Sequence, residues 1–260
     1  MKIEKIGVIG AMHQEIALLL RDMTKINEKT FGKEKGARTY CRGNLYGKDA
    51  TLVFSRWGKV ASASTVTTLI DIADVNLILF TGVAGAISED LQIGDVVIGN
   101  KLVQHDLDAR PLYSRYEVPQ LEVDHFSVEP EYVALAIRSA ERYLSVDLTT
   151  EIQSGMIESN ILAEFGITRP RVHTGLIATG DQFIADSVLR DRLKTNLPEA
   201  LCVGERIAPA MQIAGFQCPL WVKSGHQRTF RQCPLYPQKQ TKCNAAKRTL
   251  FDHCVARASS

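Results

Sequence analysis

The hydrophobic pattern along the chain alternates between two periods. Residues 3–9 form a short, mostly apolar stretch that runs into Gly10-Ala11, and beyond it Met12, Ile16, Leu19 and Leu20 recur at helical spacing. Strand followed by helix is the opening of an α/β unit. Residues 39–46 and 50–55 read as the two arms of a hairpin turning through Gly47-Lys48-Asp49. A helix is expected over 60–73, then a strand over 75–80 that is apolar enough to be buried on both faces. Further strands are expected over 95–103, 172–177 and from Leu201, with helices over 129–144 and 187–194. Strands alternating with helices predict a mainly parallel or mixed sheet covered on both sides. Residues 104–126 are polar, aromatic and Pro-containing, the composition of a long surface loop, and such loops in compact domains are usually functional. After Val203 no sustained period is found, and prolines at 209, 219, 234 and 237 punctuate the chain.

Composition changes the picture at the same place. The 260 residues, 45% hydrophobic and 23% charged, carry a formal charge of +2, which speaks against a polybasic nucleic-acid or membrane-surface protein. That balance is a sum of unlike parts. Residues 204–260 hold nine Lys or Arg against Glu205 and Asp252, a charge of +7, and four of the six cysteines, leaving −5 for residues 1–203. No run of about 18 apolar residues exists to span a membrane. Glu4, Lys5, His13 and Glu15 break up any signal-peptide pattern, and the widely spaced Cys41 and Cys202 suit reduced thiols. A cytoplasmic location is expected.

Three strand-end loops carry the candidate chemistry: residues 10–15, 81–86 and 179–184. Open α/β sheets bind ligands beyond the carboxyl ends of their strands, so these loops are expected to line one crevice. Neither G-x-G-x-x-G nor a P-loop is present, which argues against nucleotide cofactors bound by those motifs. Glu15 falls beside Met12 and Leu19 on the flank of the buried helix face. Partial desolvation there would suit a general base. An exposed Glu, or one at the helix N-terminus compensating its dipole, is the competing reading.

Gly82 and Gly85 fit either a backbone nest against a ligand or a tight strand-to-helix turn. Phe183 fits either a stacking platform for a planar base or a core aromatic. His105-Asp106-x-Asp108 lacks a second histidine cluster and reads as a hydrogen-bonded loop sooner than a metal site. The tail's Cys218, His226, Cys233, Cys243, His253 and Cys254 follow no zinc spacing, and its basic residues show no aromatic periodicity that would indicate nucleic acid.

Taken in order, several segments resemble the 5′-methylthioadenosine/S-adenosylhomocysteine nucleosidases of the purine nucleoside phosphorylase superfamily. They are Gly7-Val8-Ile9-Gly10-Ala11-Met12-His13-Gln14-Glu15, Gly58-Lys59-Val60, Thr81-Gly82-Val83-Ala84-Gly85, Gly94-Asp95-Val96-Val97, His105-Asp106-x-Asp108 and Thr179-Gly180-Asp181-Gln182-Phe183-Ile184. The resemblance covers about residues 1–203. It implies a single α/β domain with a central twisted mixed sheet flanked by helices, usually a homodimer, with residues 110–119 similar to the segment a partner subunit lends to the thioalkyl pocket.

It also implies hydrolysis of the N-glycosidic bond of an adenosine thioether, giving adenine and a thioribose, with no metal or organic cofactor. Glu15 takes the place of the water-activating carboxylate. Met12 is expected near the ribose, Val83 and Gly85 in the strand-end loop of the pocket, and Phe183 and Ile184 on the adenine, Phe183 by stacking and Ile184 through its backbone. Two further family features, a Met-Glu segment that holds the ribose and a later Ser-Asp pair that protonates the purine, have no counterparts. Gly204-Glu205-Arg206-Ile207 stands where the first is expected, Arg206 occupying the carboxylate's place, and the only acid after Glu205 is Asp252. Residues 204–260 therefore read as an out-of-frame, poorly folded replacement for the family's last elements. A phosphorylase, or a non-catalytic nucleoside-binding or dimeric interaction protein, are the alternative readings.

Overall fold

A computed structural model describes residues 5–155, 157, 159–182, 184, 186–205, 213–217 and 222–223. The chain opens with β1 (Lys5–Gly10) and α1 (His13–Asp22), followed by β2 (Thr24–Phe31), β3 (Arg38–Leu45) and β4 (Lys48–Phe54). Next come α2 (Lys59–Asp71), β5 (Leu77–Phe80), β6 (Ala84–Ala86), β7 (Val96–Gln104) and β8 (Phe126–Ser127). Helix α3 (Pro130–Arg142) passes through a π-helical turn, Tyr143–Asp147, into α4 (Leu148–Gln153), and α5 spans Ser159–Glu164. The last elements are β9 (Val172–Gly180), α6 (Ser187–Asn196), β10 (Ala200–Glu205), β11 (Ile213–Gln217) and β12 (Val222–Lys223).

Among the described residues the strands make one mixed twelve-stranded sheet in the order β12-β6-β10-β9-β7-β11-β5-β1-β4-β3-β2, with β8 beside β7. Parallel pairs form its centre: β1 with β4 and β5, and β9 with β7 and β10. The backbone of β11 lies between the two halves, parallel to β5 and antiparallel to β7. β10 carries across the change of composition at 203/204.

Side-chain alternation along the strands builds two layers of core. Ile6 and Val8 of β1, Leu52 of β4 and Leu79 of β5 face α1 and α3, meeting Ile16, Leu19, Ala136 and Ala140. Ile9, Val53, Ile78 and Phe80 point the opposite way and pack on Val66 and Leu69 of α2. A sheet buried on both faces needs apolar residues at successive positions, which is why β5 reads as an unbroken apolar run. On β9, Leu176 and Ala178 meet Leu193 of α6, while Ile177 faces Val97, Leu102 and Cys202.

Several expectations are corrected in detail. The hairpin turn is Tyr46-Gly47, both with positive φ (52° and 85°), and Lys48 already belongs to β4. Two left-handed residues make the primed turn whose twist matches the strands it joins. Helix α3 begins at Pro130, where the missing N–H costs nothing. The segment after β5 enters the short strand β6, so the strand-to-helix reading of Gly82 and Gly85 fails. β2 escaped the hydrophobic pattern because all its residues but Phe31 are exposed, leaving no apolar face to read.

Cys41 and Cys202 are free thiols. Burial alone pushes the Cys202 thiol up to about 12, which makes it inert. No helix among the described residues is long and apolar enough to cross a membrane.

Candidate active site

The site begins where β1 and β5 end side by side. Ile9 pairs with Phe80, and the Thr81 amide donates to the Ile9 carbonyl at 3.0 Å. β4 ends beside them, its Ser55 amide donating to the Gly10 carbonyl at 2.9 Å. Glu15, one turn into α1, is carried over this junction and is only 4% exposed. Its Oε2 accepts the Met12 amide at 2.9 Å and its Oε1 the Val83 amide at 3.1 Å. Burial disfavours the charged carboxylate while these two aimed N–H donors favour it.

Glu15 is therefore not the exposed residue of the competing reading. The side chain satisfies an orphan amide at the start of α1, as a capping residue does, yet it is buried and also tied to a second strand end.

Two glycines make room for it. A Cβ on Gly82 would lie 3.0 Å from Glu15 Oε1, and one on Gly10 would meet Ile16 Cγ2 at 2.8 Å and Glu15 Cβ at 3.1 Å. Close approach, and not a special backbone angle, is what demands glycine at both. A Cβ on Gly85 would make only ordinary contact, 3.6 Å from Val203 Cγ1. Gly85 lies inside β6, its backbone paired with Val203.

Met12 and Val83, both half-buried, are therefore joined to Glu15 through their own amides. Ile184 is half-buried and packs on the cluster of Ile87, Val103, Leu176, Ala178 and Leu193, together with Tyr116 from the long loop after β7. Phe183 lies outside the described residues, as do Arg206, Asp252 and the tail cysteines and histidines.

A second polar group surrounds the loop after β9. Lys59 Nζ donates to Asp106 Oδ1 at 2.8 Å, the Asp181 amide to Asp106 Oδ2 at 2.8 Å, and the Lys59 amide to Asp181 Oδ1 at 2.7 Å. Desolvation would raise the Asp106 pKa, but Lys59 and the Asp181 amide outweigh it and hold the carboxyl below its usual range. His105 is 7% exposed, and its pKa is lowered chiefly by burial, with Asp106 opposing. Its Nε2 would lie 2.4 Å from a Cβ on Gly180, so the ring requires glycine there.

The hydrogen-bonded reading of His105-Asp106-x-Asp108 fits these contacts. Both Asp106 oxygens are engaged, and Asp108 is gripped by Arg110 at 2.8 and 2.5 Å, which pushes its pKa down to about 2. No cluster of three metal-ligating side chains occurs among the described residues. The pattern reading missed Lys59 and Asp181 as a pair. Their only sequence signal was membership of the Gly58-Lys59 and Gly180-Asp181 motifs.

A family model described as the phosphorylase superfamily matches residues 5–216. The 5′-methylthioadenosine/S-adenosylhomocysteine nucleosidase of Staphylococcus haemolyticus is 31% identical over 219 residues, covering 84% of this chain and 83% of that one. The chain belongs to this nucleosidase family. The nucleosidase of Pseudoalteromonas translucida is also 31% identical, over 199 residues, 76% of this chain and 72% of that one.

The fold is shared with solved members. The Neisseria meningitidis nucleosidase in complex with methylthio-immucillin-A superposes with a TM-score of 0.73 at 23% identity, over 97% of this chain and 99% of that one. A putative methylthioadenosine nucleosidase from Weissella paramesenteroides gives 0.73 at 25%, covering 96% of each. The futalosine hydrolase of Helicobacter pylori shares the fold at a TM-score of 0.70, 21% identity and 98% of each chain. In this nucleosidase, as the ordered motifs imply, the strand ends of β1, β5 and β9 carry the residues of the candidate site.

Proposed function

We propose that this chain hydrolyses the N-glycosidic bond of 5′-methylthioadenosine and S-adenosylhomocysteine, releasing adenine and a thioribose, with Glu15 activating the attacking water. One observation carries the assignment of Glu15: a nearly buried carboxylate held by two backbone amides at adjoining strand ends. A carboxylate fixed and shielded in this way accepts a proton from a water without having to reorganise.

In the proposed step the water oxygen bonds to the ribose C1′ while the C1′–N9 bond breaks. The bonding pair leaves on adenine, and the water's proton passes to Glu15. Met12 lies against the ribose, Val83 and Gly85 line the strand-end loop, and Phe183 and Ile184 hold the adenine. The departing purine also needs a proton; no Ser-Asp pair follows residue 203, and adenine is proposed to take the proton from solvent water. The backbone of Glu205 ends β10 opposite Gly180, one position short of the expected ribose carboxylate. Residues 204–260 are accordingly proposed to be an out-of-frame replacement, and turnover to be impaired by about 10²- to 10⁴-fold through loss of the oriented acid.

A homodimer is proposed from the resemblance to the nucleosidases, with residues 110–119 as the segment lent to the partner's pocket; Leu112 within it is exposed. Free thiols support a reducing, cytoplasmic setting, and methionine salvage is the role that follows from the substrates.

The test is adenine release from methylthioadenosine with and without inorganic phosphate, by this chain and by one with the alternative frame restored after codon 204. Phosphate-independent release that rises on restoration is expected. Release that requires phosphate would instead identify a phosphorylase, and adenine binding with no turnover in either chain a binding protein.

A further inference from the structure

The polar group around Asp106 joins loops that the sheet itself keeps apart. Lys59 opens α2 just after β4, whereas Asp106 follows β7, and β1, β5 and β11 stand between those two strands in the sheet order. Lys59 stands four residues beyond Ser55, whose amide is bonded to the Gly10 carbonyl at the end of β1, so the contact ties the loop after β7 to the side on which Glu15 is held. Asp181 follows β9 and is bound twice, through its amide to Asp106 and through its carboxylate to the Lys59 amide.

We propose that Lys59, Asp106 and Asp181 form a cross-tie that sets the position of residues 179–182, the start of the loop after β9, against the Glu15 side of the crevice, with Lys59 and Asp106 as positioning residues for adenine binding. This rests on the nucleosidase reading.

Three features favour positioning over mere stability. The Lys59 and Asp106 side chains keep only 23% and 13% of their exposure, so solvent screens the pair weakly and it holds the two loops in a defined geometry. The Asp181 amide and carboxylate are both committed, which leaves the start of the loop little freedom. Gly58 has a φ of 104° and a Cβ there would lie 3.4 Å from Asp181 Oδ1, so the backbone is shaped to bring the two loops together.

Adenine affinity, measured by calorimetry well below each variant's Tm, tests the tie. Lys59→Met and Asp106→Asn are each expected to raise the adenine Kd by about 10-fold, the worth of one charge-assisted hydrogen bond. The KM for methylthioadenosine should rise more than kcat falls. Lys59→Arg should recover most of the affinity, and the double variant should be little worse than either single one, because the two residues act through one network.

Adenine binding by the unaltered chain with Kd changed by less than about two-fold in both single variants would overturn the cross-tie and leave the nucleosidase reading standing. No adenine binding and no adenine release by the unaltered chain would fail that reading and the tie with it. Weakened adenine binding in the variants, with no turnover by the unaltered chain or by the chain with the alternative frame restored, would support the tie while the hydrolase reading fails.

Discussion

Glu15 Oε1 accepts the Val83 amide at 3.1 Å, a hydrogen bond between residues 68 positions apart that fastens the first helix to the end of β5. With the Met12 amide on the other oxygen, both carboxylate oxygens are held by backbone donors. Short of proline, substitution leaves a backbone donor in place, so side-chain changes at Met12 and Val83 keep the orientation and the charge is the part that mutation at Glu15 reaches. Glu15→Gln keeps the shape but removes the base and turns an NH2 toward one of the two donors. We expect kcat to fall by about 10²- to 10⁴-fold with adenine binding largely retained, as measured by adenine release and calorimetry.

Gly82→Ala tests the same carboxylate by crowding. Its Cβ would stand 3.0 Å from Glu15 Oε1 and 3.2 Å from Phe80 Cε1, and Phe80 is packed in the core. The carboxylate is the neighbour able to move. The shift required is a few tenths of an ångström, short of the ~1 Å that costs about 10²-fold, so kcat is expected to fall by up to about 10-fold. Gly36→Ala, which meets nothing within 4 Å, serves as the control for glycine replacement in general.

Asp95 is expected to matter for stability and not for chemistry. It is 1% exposed and accepts the Gln92 and Arg171 amides at 2.9 and 2.8 Å and pairs with His173 Nε2 at 3.0 Å, clamping the starts of β7 and β9. These strand starts lie at the other end of β7 and β9 from the loops that carry Asp106 and Asp181. Asp95→Ala strands three polar groups and should destabilise by about 3 kcal/mol. Denaturant titration reads the loss, and kcat measured under conditions where the variant is folded should be unaffected.

Stability should fall on the acid side, in two windows. His105 has its pKa held below 6.5, first by burial and further by Lys59, with Asp106 partly opposing. The unfolded chain therefore gains a proton there before the folded one does. Stability declines as pH drops below about 6.5 and the decline levels off beyond the depressed folded value. Asp106, held below 3.8 by Lys59 and the Asp181 amide in spite of desolvation, contributes stability above that value that is lost as pH falls through its folded pKa. Tm measured against pH should show the first slope in the unaltered chain and a flatter one in His105→Asn.

The elements that were legible in advance are those with a buried face. β1, β5 and β9 and helices α1, α2 and α3 announce themselves because burying one or both sides forces a regular spacing of Ile, Val, Leu and Ala. β2 was silent for the opposite reason, since an exposed edge strand can take Lys, Glu, Asn and Thr at every position. β6 was silent because three residues, Ala84–Ala86, are too few to carry a period. Glu15 was legible as a candidate, while its burial was not: helical spacing places it only at the edge of an apolar face, and the loop after β5 is what closes over it.

By itself the sequence determined which segments form the sheet and its covering helices, the residue types at three strand-end loops, and the change of charge and composition at residue 204. Those are properties of neighbours along the chain. Tertiary structure decided that Met12, Glu15 and Val83 share two hydrogen bonds, that Lys59 reaches Asp106 past three intervening strands, and that Gly82 and Gly180 are glycines because Glu15 and His105 occupy their side-chain space. Such contacts depend on the order of strands in the sheet and the length of a side chain across a crevice, and spacing along the chain carries neither.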